Sequence, residues 1–196
     1  NLVGKWFKAG SLKLLEFPVQ FVYGNKERFA VTKAATENST GRWQVSFTRP
    51  NGTDRPAIAE FQQKGSALTG TFLTPSGDYR FLEGVVNGDS LLLSCFDGSH
   101  AYLFTATISG NEIKNGMYYS SAVPAEKWRA AKNEKAVLPD TTQTTELKPG
   151  ESKLNFTFKD VNGKNISIND ARFKNKVVVI QIMGSWCPNC MDESKF

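Results

Sequence analysis

Along residues 4–133, apolar and polar side chains alternate in short runs cut by Gly, Asn, Asp and Pro. This period of two restricts the region to β structure with one buried and one wet face. Trp43, Val45 and Phe47 fall on one face and Gln44, Ser46 and Thr48 on the other; Tyr102, Phe104, Ala106 and Ile108 repeat the pattern. The runs are separated by Pro75-Ser76-Gly77-Asp78, Asn87-Gly88-Asp89, Asp97-Gly98-Ser99 and Ser109-Gly110-Asn111. Gly and Asn accept positive φ in such short turns and so favour antiparallel hairpins. Strands are expected at 4–7, 17–23, 28–33, 41–48, 57–62, 67–73, 78–86, 90–96, 100–108 and 112–119. A meander of this kind closes as an antiparallel β barrel or folds as a β sandwich.

The chain has 196 residues, enough for one large or two small domains. No apolar run approaches the roughly 18 residues that a membrane-crossing helix needs. The formal charge is +5, but Lys and Arg are interleaved with acids throughout. There is no basic block to form a nucleic-acid surface, so nucleic acid is not an expected partner. The sequence begins at Asn1 rather than Met, which fits removal of an export signal or anchor.

Residues 136–149 lose the alternation and become polar and Thr-rich, with Pro139 and Pro149 near the ends. They read as a linker between a β domain at 1–135 and a second region at 150–196. The second region has a strand-like stretch at 154–158, a turn at 160–164 and a short 166–168 run. Asn169-Asp170 follows, placed to cap a helical turn at 171–173. Val177-Val178-Val179-Ile180-Gln181-Ile182-Met183 then reads as a strand covered on both faces, as in the middle of an α/β sheet.

That run delivers Trp186-Cys187-Pro188-Asn189-Cys190 to the start of a helix-compatible stretch. Three cysteines are too few for a disulfide scaffold, and the spacing of two of them is the informative feature. At a helix start, unpaired N–H groups and the helix dipole favour thiolate, so Cys187 is expected to be the more acidic thiol. Pro188 suits the first helical turn, where its missing N–H costs nothing. Cys190 lies close enough behind to resolve a mixed disulfide on Cys187. Trp186 would wall the nucleophile.

The rival chemistry is half of a zinc site, but the remaining non-carboxylate ligands, Cys95 and His100, are about ninety residues away and not at ligand spacing. Cys95 shares a strand face with Leu91 and Leu93 and reads as a core thiol. His100, with no paired carboxylate apparent, reads as structural or solvent-facing. Trp6, Trp43, Phe47, Phe72, Phe81, Phe96, Phe104 and Tyr118 read as core rather than a ligand box. A closed barrel can nevertheless enclose a small ligand.

The 154–158 stretch, Asp160-Val161-Asn162-Gly163-Lys164, Asn175-Lys176 leading into 177–182, and the Trp-Cys-x-x-Cys ending together resemble the TlpA/ResA-type thiol-disulfide oxidoreductases of the thioredoxin superfamily. The resemblance covers about a quarter of the chain. Gly184-Ser185 stands where the family usually has Ala-Thr or Ala-Ser. The resemblance implies Cys187 as attacking and Cys190 as resolving cysteine, in the first part of an α/β thioredoxin-like domain. It also implies an extracytoplasmic enzyme with disulfide-containing client proteins and a membrane dithiol donor as partners, and no metal or cofactor. Pro188-Asn189 lacks the His of strongly oxidising relatives, which points to a reductant or isomerase.

The family's remaining strands, helices and cis-proline loop would follow Phe196, so these 196 residues are expected to have little reductase activity. Self-association or domain swapping is the other way to cover the apolar 177–183 run. The function from another class is a ligand- or partner-binding β-barrel module with an accessory redox domain.

Overall fold

The computed structural model describes residues 1–9, 14–24, 27–98, 100–120, 124–139, 146–184 and 187–195. The chain divides into two compact units, 1–139 and 140–196.

The first unit is a closed antiparallel barrel of eight strands. These are β3 (Gly41–Thr48), β4 (Asp54–Lys64), β5 (Ala67–Thr74), β7 (Leu82–Asn87), β8 (Ser90–Phe96), β9 (Ala101–Ser109), β10 (Glu112–Ser120) and β11 (Glu126–Lys132). They are ordered β4-β3-β11-β10-β9-β8-β7-β5, and the β4–β5 pairing closes the ring. Closure removes sheet edges, which selects the barrel over the sandwich. A two-residue strand, β6 (Gly77–Asp78), pairs with the end of β5. Ahead of the barrel, β1 (Leu2–Ala9) and β2 (Leu14–Phe21) form a separate hairpin, whose Trp6 donates to Gly98 O at 3.0 Å and meets Phe96 edge-on.

Inward residues fill an interior that eight strands leave just wide enough for side chains. Trp43, Phe47, Phe72 and Phe104 are fully buried, with Leu68, Leu82, Val86, Leu91, Leu93, Ile108 and Ile113 packed around them. The buried indoles are satisfied: Trp43 Nε1 donates to Ser39 O (2.8 Å) and Trp128 Nε1 to Thr105 O (3.2 Å).

Two strand expectations need correction. Residues 28–33 form no strand, because this chain is held by side chains rather than by a ladder. The Thr32 and Lys33 amides both donate to Asn87 Oδ1 (3.1 and 2.7 Å), and Arg28 Nη1 donates to Ser94 O (2.7 Å). The run 78–86 is broken after Asp78 and resumes at Leu82. Conversely, β11 was not foreseen. Its Glu-Lys-Trp-Arg-Ala-Ala-Lys composition favours helix, but pairing with β3 and β10 on both sides overrides that preference.

The outer surface carries one charge cluster with a pH consequence. Asp54 on β4 accepts from Thr48 Oγ1 (2.6 Å) and pairs with Arg129 of β11 (2.7 Å), stitching three neighbouring strands. The Thr48 hydroxyl first, then Arg129, lower its pKa from 3.8 to about 2. A carboxyl depressed in the folded state contributes stability above its unfolded pKa and loses it as pH falls. The urea midpoint should therefore drop between about pH 4 and pH 2 by more in the wild type than in Asp54→Asn. Equal drops would show that the cluster contributes nothing.

In the second unit, β12 (Thr157–Lys159) and β13 (Asn165–Ser167) form a short hairpin. Its turn is set by Asp160 Oδ1, which accepts from the amides of Asn162 and Lys164, both at 2.9 Å. A single 3-10 turn follows at Ala171–Phe173 with Asp170 at its N-cap, and the one α-helix among the described residues is α1 (Pro188–Glu193). Asp170 does not cap by its side chain; its carboxylate takes the Ser167 amide (3.3 Å) and Arg172 (3.0 Å) instead.

The expected central strand at 177–183 is not formed. Val177, Val179 and Ile182 are exposed at 96%, 89% and 94%, and no strand pairs with them among the described residues. A strand exists only through its ladder and the layers that cover it, and neither is present here. The described part of 150–196 accordingly forms a β hairpin and a short helix, with no thioredoxin-like α/β layer.

Candidate functional site

Cys187 and Cys190 are joined by a disulfide, with Cα atoms 5.3 Å apart. The local sequence dictates this closeness. Cys187 is the N-cap of α1, Pro188 occupies the first turn, and the Cys190 amide donates to Cys187 Sγ at 3.2 Å. That donor would go unpaired at a helix start, and the sulfur accepts it much as a capping oxygen would. Both cysteines are half-buried.

Sequence reasoning missed what holds the helix. Ser194 Oγ donates to Cys190 O at 2.7 Å, and Gln181 Nε2 approaches the same carbonyl at 3.4 Å. Gln181 is the single polar residue in the 177–183 run, and that interruption was the available signal. Trp186 lies outside the described residues. Pro188 and Asn189 form the first turn of α1, as expected from their position after Cys187.

The other candidates fall in the barrel unit. Cys95 is a free, half-buried thiol packed against the core, and burial, then the nearby Asp97, pushes its pKa up. A thiol so placed is a poor nucleophile. His100 is not without a carboxylate: its Nδ1 lies 3.2 Å from Asp97 Oδ2, and its own amide donates to Asp97 Oδ1 at 2.7 Å. Both contacts lie within the β8–β9 turn, so His100 closes a turn and stacks on Tyr102.

One end of the barrel is plugged. The Arg55 guanidinium lies over the Phe47 ring at 4.3 Å, donates to Tyr79 Oη at 2.8 Å, and pairs with Glu126 at 2.9 Å. Burial, then Tyr79, pushes Tyr102 up to about 12 and Tyr118 higher still. These phenols stay protonated at neutral pH.

Three of the aromatics expected in the core are outside the barrel interior: Trp6 lies on the β1–β2 hairpin, and Phe81 and Phe96 face outward. Phe81 is 91% exposed and Phe96 52%. Phe96 follows the unbroken alternation of β8, where Leu91 and Leu93 point inward, whereas Phe81 is turned out by the register: Leu73 faces Asp78 but Gly70 faces Leu82, so one extra residue sits between them opposite Thr71. That bulge contains Arg80 at φ 57°. A non-glycine residue there costs about 1–2 kcal/mol, and the inserted residue turns the following side chain to the opposite face.

Phe81 thereby joins an outward row. Arg42 faces Glu60, Glu60 faces Thr71, the bulge sets Phe81 beside Thr71, and the β7–β8 register continued outward sets Phe81 opposite Phe96. The next row runs Gln62, Thr69, Glu83 and Ser94. Between the rows lies an open cavity of about 900 Å3.

No protein-family model and no curated protein matches the chain. Among solved structures the chain is similar to one described as EF1p2_mFAP2b bound to DFHBI. The two are 17% identical, the match covers 48% of this chain and 93% of that one, and the TM-score is 0.32. A likeness of that size carries no argument about the ligand.

Proposed function

We propose that this chain is a β-barrel module joined to a thiol-disulfide exchange site, with Cys187 attacking and Cys190 resolving. The observation that supports it is the bonded Cys187–Cys190 pair at the start of α1, with a backbone N–H directed at Cys187 Sγ. The same donor would favour the Cys187 thiolate in the reduced state. The Cys187 thiolate attacks one sulfur of a client disulfide, and the other client sulfur leaves as thiolate. Cys190, deprotonated, then attacks Cys187 Sγ and expels the second client thiolate. Two electrons have passed to the client, and the Cys187–Cys190 disulfide must be re-reduced by an external dithiol. The proposal extends to the TlpA/ResA-type family, an extracytoplasmic setting, disulfide-bearing clients and a membrane dithiol donor.

The test is differential alkylation of the fully reduced chain at mildly acidic pH, read by mass spectrometry. Cys187 should react faster than Cys190, and Cys95 slowest. In glutathione buffers the pair should exchange as a two-electron couple, and Cys190→Ser should accumulate a mixed disulfide on Cys187. Equal rates at all three thiols would overturn the reading.

A second reading has its own support. The packed core is the complete eight-stranded barrel, and this favours a binding module as the principal function with the dithiol as accessory. Because the barrel interior is filled by its own aromatic side chains, binding on this reading takes place on the outer wall. Ligand binding that survives removal of residues after 139 would favour it.

A further inference from the structure

We propose that the outer face of β5, β7 and β8 binds a lysine or arginine side chain presented by a partner polypeptide, held between Phe81, Phe96 and Glu83. This goes beyond the dithiol reading and stands or falls without it. Phe81 and Glu83 flank the inward Leu82 and so share the outer face, about 7 Å apart along the strand. Extending the β7–β8 register places Phe96 opposite Phe81; the Phe81 ring is open to solvent, and Phe96 stays half-exposed with Trp6 against its edge. An aromatic face with a carboxylate beside it is the chemistry that holds an organic cation.

The charges around this cavity leave the carboxylate available. Arg28 is committed to Ser94 O and Oγ, and Arg42 to Glu60 and to Ala136 O. Glu134 takes the Arg42 amide. The Glu83 carboxylate, on a residue whose backbone is paired with β5 and β8, makes no ion pair or side-chain hydrogen bond among the described residues. The lining thus carries two cations against three carboxylates, a local acidic excess on a chain of net charge +5. A basic ligand is drawn to this patch while the rest of the surface disfavours it.

The bulge is what brings these groups together, and bulges concentrate where a side chain must be re-aimed.

The experiment titrates the full chain at low salt with three nonapeptides that alternate Ala with Lys, Gln or Glu, and with maltohexaose as a neutral ring-stacking probe. The Lys peptide should bind and the other three should not. Phe81→Leu, which keeps bulk but removes the π face, and Glu83→Gln should each weaken binding by about two- to fivefold, and together by about tenfold. Both positions are exposed, so melting should be unchanged. Glu112→Gln, on β10 across the barrel, should leave affinity intact. Equal binding of the Gln or Glu peptide, a preference for maltohexaose, or full affinity in the double variant would overturn the proposal.

Discussion

Replacing Phe72 by alanine should cost the barrel about 3–5 kcal/mol, because Phe72 is the ring on which the interior converges. It stacks on Phe104 with centroids 4.5 Å apart and meets Trp128 at 5.2 Å, Phe47 at 5.4 Å and Phe61 at 5.5 Å. These partners come from four different strands, β9, β11, β3 and β4, so no local adjustment of one strand can close the space. The closed ring limits relaxation further, since moving one strand inward strains its two pairings. Urea unfolding of the 1–139 unit, followed by tryptophan fluorescence, measures the loss directly. Phe72→Leu retains most of the volume and should cost about half as much. A loss below about 1 kcal/mol for Phe72→Ala would show that the aromatic cluster is not a cooperative core.

Gly84→Val should be at least as damaging, by a different mechanism. Gly84 lies on β7 opposite Leu93, and a Cβ there would collide with the Leu92 carbonyl and with the backbone of Leu93. The obstacle is main chain of the neighbouring strand, so a rotamer change elsewhere cannot relieve it. Either β7 separates from β8 or the barrel opens, and both expose the buried Val86 and Leu91. Overpacking ordinarily costs about 1–3 kcal/mol, and backbone collision in a closed ring belongs at or above the top of that range. The expected result is loss of cooperative unfolding and accumulation in the insoluble fraction. As a control, Gly98→Ala, whose Cβ meets nothing within 4 Å, should stay soluble despite the strain of its positive φ. Soluble, cooperatively folded Gly84→Val would overturn the close approach of β7 and β8.

Much of the barrel was legible in advance because a half-buried strand writes its two faces into alternate residues. The alternation at Trp43 to Thr48 and at Tyr102 to Ile108 names both the strands and the residues that fill the interior. The turn glycines mark where the chain reverses. The Cys-Pro-Asn-Cys spacing likewise determines a pair of sulfurs at a helix start, because the geometry involves four consecutive residues and little else. Such features depend on neighbours in sequence, and local sterics carry them.

What only the tertiary structure decided depends on partners distant in sequence. β11 is a strand because β3 and β10 offer ladders on both sides, against the helical preference of its Ala and Lys. Residues 28–33 are not a strand because the Asn87 amide and the Ser94 carbonyl take their hydrogen bonds. The run 177–183 has the composition of a central strand, yet without a ladder it remains exposed chain. Phe81 faces solvent because a single inserted residue opposite Thr71 reverses the alternation, and the position of a bulge is set by the register between β5 and its neighbours. Alternation fixes which residues can share a face, while pairing across the sheet determines which face that is.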